Sequence, residues 1–189
     1  MMDDDDDRLR PIEIGARALV LAALAYWTWR MAVEPMGSYS LGLVDMTNLV
    51  FHEAGHILFL PLGTFMTSLG GSLTQVLVPL VCMATFILKT RDFYAATVAL
   101  WWAGENLVDM APYVADARAL QLVLLGGHTG AEVEGHDWEA ILGALGWLPY
   151  DVTLGRACHR AGVLVMLGAI AWGGFVLRRQ YSSLSPDQV

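Results

Sequence analysis

The charged residues of this chain fall mainly in clusters, and the runs between the clusters are apolar. Charges gather at residues 3–10, 89–92 and 109–137 and at Arg178-Arg179. The intervening stretches have about the 20-residue length that a helix needs to span the hydrocarbon core of a bilayer. Only 16% of the residues are charged, where a soluble domain carries about a quarter. The pattern predicts an all-α, polytopic membrane bundle of four to five transmembrane helices, with one polar loop and a short interfacial helix.

Of the formal net charge of −8, five charges are the aspartates of residues 3–7. Such a run reads as a solvated tail and not as an acidic binding surface. No basic patch is extensive enough to suggest a nucleic-acid partner. Cys82 and Cys158 lie in apolar stretches, form no C-x-x-C motif, and read as small core residues. The acidic start lacks the basic region of a cleavable signal peptide.

The expected organisation is a disordered acidic tail (residues 1–13), a single transmembrane domain (14–179) and a polar C-terminal tail (180–189). Within the domain, apolar stretches cover residues 14–33, 41–62 and 73–88. A fourth helix starts near Phe93, and a last span covers 161–177. Gly63 with Gly70-Gly71 predicts a bend before the third span, and Pro112 a break or kink in the fourth helix. Residues 126–137 form a polar loop, and 138–148 a short amphipathic helix at the interface. Lys89 with Arg91 and Arg178 with Arg179 favour the cytoplasm, so the loop at 116–155 faces outward. This places the chain in a bacterial inner (plasma) membrane with its C-terminus cytoplasmic. It leaves open whether the second stretch crosses or re-enters.

That second stretch holds His52-Glu53-Ala54-Gly55-His56, the H-E-x-x-H pattern. Histidines four apart on a helix point the same way, so both imidazoles can reach one zinc ion. The glutamate between them can take a proton from a water activated by the metal. Asp45 and Asn48 continue the same polar face, and polar groups at membrane depth turn toward protein or a wet cavity. Gly55 lets another backbone or a substrate approach closely.

Zinc needs a third protein ligand. Asn106, Asp109, Tyr113 and Asp116 recur at three, four and three residues, so a continuous helix aligns them on one face. Asp116 and Asp109 are both candidates, and the one that does not ligate can orient a histidine from behind. The competing reading is an interfacial turn in which Asp116 pairs with Arg118. In the loop, His136 is a further candidate ligand. His128 reads as solvated, and His159 as a polar residue at headgroup level.

A membrane-embedded H-E-x-x-H, followed two segments later by an asparagine–proline–aspartate run, resembles the site-2 protease family of intramembrane zinc metallopeptidases. The likeness covers residues 41–118 and is concentrated at His52 to His56. It implies His52, His56 and Asp116 as zinc ligands, Glu53 as general base and Asn106 near the substrate. The function expected from it is cleavage of membrane protein or peptide substrates within or near the bilayer. A zinc-dependent lipid or amide hydrolase and a non-catalytic, metal-stabilised accessory protein are the alternatives.

Overall fold

The computed structural model describes residues 11–184. Among them are six α-helices and no β-strand beyond one isolated bridge, Val123–Thr129. The chain is all-α, as its sequence predicts. Helix α1 (Pro11–Val33) opens on a proline, whose fixed φ suits a first helical turn, and stops just before Pro35. Gly37, at φ 83°, turns the chain back. At the start of α2 (Leu43–Phe59), the Asp45 carboxylate accepts the Leu41 amide at 2.9 Å and the Gly42 amide at 3.2 Å. Those amides have no partner within the helix, so the carboxylate fixes its first turn.

Pro61 ends that helix in a 3-10 turn (Leu60–Leu62), and α3 (Thr64–Thr85) follows Gly63. A π turn (Phe86–Thr90) and a left-handed Arg91 lead to Asp92, whose carboxylate accepts the Tyr94 and Ala95 amides at 3.0 Å. This N-cap starts α4 (Phe93–Ala115). A long connection precedes α5 (Asp137–Leu145), and a 3-10 turn (Leu148–Tyr150) leads into α6 (Asp151–Ser182).

Several local expectations change. Gly70-Gly71 is not a bend but lies inside α3, where both glycines are buried. Pro112 does not end α4, which continues to Ala115 although proline cannot donate to the Val108 carbonyl. The last helix starts at Asp151, well before residue 161, and the expected interfacial helix starts one residue early, at Asp137. The tails at 1–10 and 185–189 lie outside the described residues, while residues 11–13 and 180–182 are helical.

Packing runs in the order α1, α6, α4, α3, α2, with α4–α6 the most extensive pair and α5 set against α3. The α4–α6 contact is a backbone contact. A Cβ on Gly104 would lie 2.8 Å from the Gly162 carbonyl oxygen, and one on Gly162 2.5 Å from that of Gly104. Small residues that bring backbones together are the usual basis of helix packing where no water drives it. Around this contact Leu24, Met31, Trp101, Met166 and Ala169 form the apolar core. Its one indole donor is satisfied, because Trp101 Nε1 donates to Thr28 Oγ1 at 2.8 Å. Two helical stretches, Thr64–Thr90 and Leu148–Ser182, are long and apolar enough to cross a membrane.

Candidate metal centre

The α2–α3 contact positions the H-E-x-x-H motif. A Cβ on Gly55 would collide with the Gly70 carbonyl, so the two helices meet backbone to backbone there. One residue on, a Cβ on Gly71 would lie 2.6 Å from His52 Nε2 and 2.8 Å from His56 Cε1. The two imidazoles occupy the space that a side chain at position 71 would take. The close approach expected at Gly55 is made by α3, and Gly70-Gly71 are the surface on which the motif is seated.

Each ring is held by its outer nitrogen. His52 Nδ1 lies 3.1 Å from Gln75 Oε1, and His56 Nδ1 lies 2.8 Å from the Thr67 carbonyl oxygen. Both partners are carbonyl oxygens, which can only accept, so both histidines donate from Nδ1. Their Nε2 atoms are then left with lone pairs. Those atoms converge on one carboxylate oxygen, Asp137 Oδ2, at 3.2 Å from His52 and 3.3 Å from His56. The three potential ligand atoms lie within 4.8 Å of one another.

Two lone pairs facing one carboxylate oxygen repel unless a cation sits between them. A proton on one ring would leave the other lone pair facing the same oxygen. A divalent metal satisfies all three. Zinc with ligands at about 2.0–2.2 Å has tetrahedral edges of roughly 3.3–3.6 Å, close to the two separations seen here. The donor set of two imidazoles and one carboxylate fits zinc, with Asp137 as the candidate third donor.

Asp137 is the first residue of α5, where a helix N-terminus favours negative charge. The Tyr113 hydroxyl accepts the Asp137 amide at 2.9 Å and donates to Asp137 Oδ2 at 3.3 Å. Trp138 Nε1 donates to Ser72 Oγ at 3.2 Å and ties α5 to α3. The carboxylate is thus fixed from α4 and from α3.

The other expected site residues are placed differently. The carboxylate of Asp116 accepts the backbone amides of Gln121 at 3.0 Å and Leu122 at 2.9 Å, and so organises the turn after α4. Arg118 pairs with Asp151 at 2.7 Å and not with Asp116. His136 caps α5 and lies 3.5 Å from Asp116, its Nδ1 accepting the Glu139 amide at 3.2 Å. Burial pushes this imidazole below its ordinary pKa, which keeps it neutral in its capping role. Asn106 is fully buried, its Nδ2 donating to the Trp102 carbonyl, and it does not line the cavity beside the histidines. His159, half-buried on α6, donates to the Met31 carbonyl at 3.1 Å.

Asp109 lines the same cavity and forms, with Asp45 and Glu105, a second group of carboxylates whose oxygens lie within 4.8 Å of one another. Gln75 Nε2 donates to Asp109 Oδ2 at 2.7 Å, and Asn48 Nδ2 donates to Glu105 Oε2 at 2.9 Å. Sequence reasoning missed Gln75 and passed over Asp137 as a loop residue. The signal for Asp137 was an acidic residue opening the first turn of a helix, read one residue too late.

A cavity of about 650 Å³ opens beside the motif. Half-buried Glu53 lines it with His52, His56, Tyr113 and Asp137. Across from them the connection between α4 and α5 contributes Leu122, Val123, Leu125 and Val133. A carboxylate, two histidines and an apolar wall thus share one open space, which suits hydrolysis of a substrate with an apolar portion. The chain matches no protein-family model, no curated protein and no solved structure.

Proposed function

We propose that this chain is an intramembrane zinc-dependent hydrolase that cleaves peptide bonds within or near the bilayer. His52, His56 and Asp137 would hold the metal, and Glu53 would act as general base. One observation carries the reading: two metal-ready Nε2 atoms converge on one carboxylate oxygen at 3.2 and 3.3 Å. Glu53 lies in the same cavity, which is open to water.

Zinc held by His52, His56 and Asp137 would supply a Lewis acid that lowers the pKa of a water toward neutrality. Glu53 accepts the proton of the attacking water and returns it to the leaving nitrogen. Tyr113 holds the Asp137 carboxylate in place from two sides. Leu122, Val123, Leu125 and Val133 give an apolar substrate segment a surface beside the reacting bond.

The bilayer setting has separate support. Besides the two spans of sufficient length, α2 exposes Leu43, Met46, Val50, Ile57 and Leu58, and α6 exposes Leu164, Leu167 and Phe175. Contiguous apolar surface of this kind is unusual on a soluble monomer and natural against lipid. On this reading α1, α3, α4 and α6 span, with α2 as the fifth crossing or a re-entrant segment. The same apolar cavity wall suits an acyl chain, which keeps a lipid or amide hydrolase as the second reading.

The test is metal content and activity of the full chain purified in detergent without chelators. Wild type should carry stoichiometric zinc, His52→Ala and Asp137→Ala should lose it, and Glu53→Gln should keep zinc without activity. Wild type free of zinc overturns the proposal. Comparing membrane peptides with lipids that accumulate alongside Glu53→Gln separates the two substrate classes.

A further inference from the structure

The polar groups behind His52 form a chain in which every hydrogen bond has a forced direction. It begins at Trp102, whose indole nitrogen can only donate, here to Asn48 Oδ1 at 2.8 Å. That contact turns the Asn48 amide so that Nδ2 faces the carboxylates, 2.9 Å from Glu105 Oε2 and 3.4 Å from Asp109 Oδ2. The same Asp109 oxygen accepts Gln75 Nε2 at 2.7 Å. Gln75 has then committed its amino group, and its carbonyl must face His52 Nδ1 at 3.1 Å. His52 can meet a carbonyl only as a donor, so its proton sits on Nδ1 and its Nε2 lone pair points at Asp137.

We infer that Gln75 and Asp109 are positioning residues that lock His52 in the one tautomer able to bind a metal through Nε2. Gln75 is buried at 4% exposure and Asn48 is fully buried, while Asp109 is half-buried at the edge of the cavity. His56 needs no such relay, because its Nδ1 meets a main-chain carbonyl whose identity is fixed. The two motif histidines are therefore oriented by different means, one by backbone and one by a side-chain amide. The amide needs Asp109 because it could otherwise flip and present its amino group to the ring. Within this relay Asp109 acts as an acceptor, its Oδ2 receiving both amides.

The inference rests on the metal reading above, and its test separates the two. Zinc dissociation constants of the detergent-solubilised full chain would be measured by competition with a chromophoric chelator. Gln75→Leu and Asp109→Leu should each weaken zinc binding about 10–100-fold, the usual cost of losing an outer partner of a ligating histidine. Asp109→Asn should bind within a few-fold of wild type, because its carbonyl oxygen still accepts the Gln75 amide. The double variant Gln75→Leu/Asp109→Leu should bind no more weakly than the worse single variant, since both break one relay.

Loss in Asp109→Asn as large as in Asp109→Leu would overturn the inference, making Asp109 a charge or a direct ligand. So would additive losses in the double variant. The metal-free protein gives an independent arm through the ¹⁵N shifts of His52. Wild type should keep His52 Nδ1 protonated throughout, and Gln75→Leu should populate a form with Nδ1 unprotonated. If wild type binds no zinc but keeps Nδ1 protonated, the relay stands and the metal reading fails. Unprotonated Nδ1 in wild type overturns the relay whatever the metal content.

Discussion

Helix α4 lies between two regions that glycines shape to different ends, the α4–α6 contact and the α2–α3 seat of the histidines. Against α6, Gly104 and Gly162 let two backbones touch, and the space around them is filled by Met166, Trp101 and Leu24. On the other side of α4, Asp109 and Tyr113 reach toward α2, α3 and α5, where Gly71 leaves room for two imidazoles. The first region is filled chiefly by apolar shape, with the Trp101–Thr28 hydrogen bond inside it. In the second, the histidine nitrogens are engaged by Gln75, the Thr67 carbonyl and Asp137. A change of shape should therefore cost stability in the first region and metal affinity in the second.

The sharpest break of this comparison is Asp137→Asn against Asp116→Asn. Asp137→Asn should reduce zinc binding at least 100-fold and abolish turnover, because a neutral amide oxygen is a far weaker donor to zinc than the carboxylate. Asp116→Asn should leave zinc bound and instead loosen the turn at 121–122, read as faster amide hydrogen exchange there. Equal zinc loss in both variants would return Asp116 to the ligand set.

Glycine replacements come next. Gly162→Ala drives a Cβ into the Gly104 carbonyl, and overpacking of this kind costs about 1–3 kcal/mol of stability. It should lower the thermal midpoint with zinc stoichiometry unchanged. Gly71→Ala meets the ends of two imidazoles, so its main effect should be weaker zinc binding with a smaller shift of the midpoint. Calorimetry and zinc titration on the two variants decide this, and the same profile in both would erase the distinction.

Smaller effects should follow from single hydrogen bonds. Tyr113→Phe removes the hydroxyl that engages Asp137 twice, and zinc affinity or turnover should fall about 10-fold. Trp101→Phe leaves Thr28 without its indole donor and should cost about 1 kcal/mol of stability with no change in zinc binding. A change in zinc affinity for Trp101→Phe would mean that the two sides of α4 are coupled.

Much of the architecture is legible in the sequence because its signals are local. Apolar runs between charge clusters mark the helices, and Asp92 and Pro61 mark two of their boundaries with simple capping and breaking chemistry. The i, i+4 spacing of His52 and His56 needs only helical periodicity to be read. Gly70-Gly71 misleads because glycine marks bends in water, whereas here it marks the point where two helices touch. Of the break or kink expected at Pro112 the break is absent, since local propensity gives way to the packing around α4. The third donor is hidden for a different reason. Asp116 and Asp109 lie on a visible helical face, but Asp137 reaches the histidines only through the folding of a 21-residue connection, from 116 to 136, between α4 and α5. No local pattern records that route. Gln75 is hidden because an amide in an apolar helix gains its meaning from partners on two other helices.

The position of Asp137 also bears on how the molecule is made. His52 and Asp137 are separated by 85 positions in the chain. During synthesis the two histidines emerge early, followed by α3 and α4, and the carboxylate that completes their partnership arrives only with α5. A growing chain therefore carries an unfinished centre until most of the helices are assembled. Any chemistry that needs all three side chains together therefore waits on α5, the fifth helix in chain order.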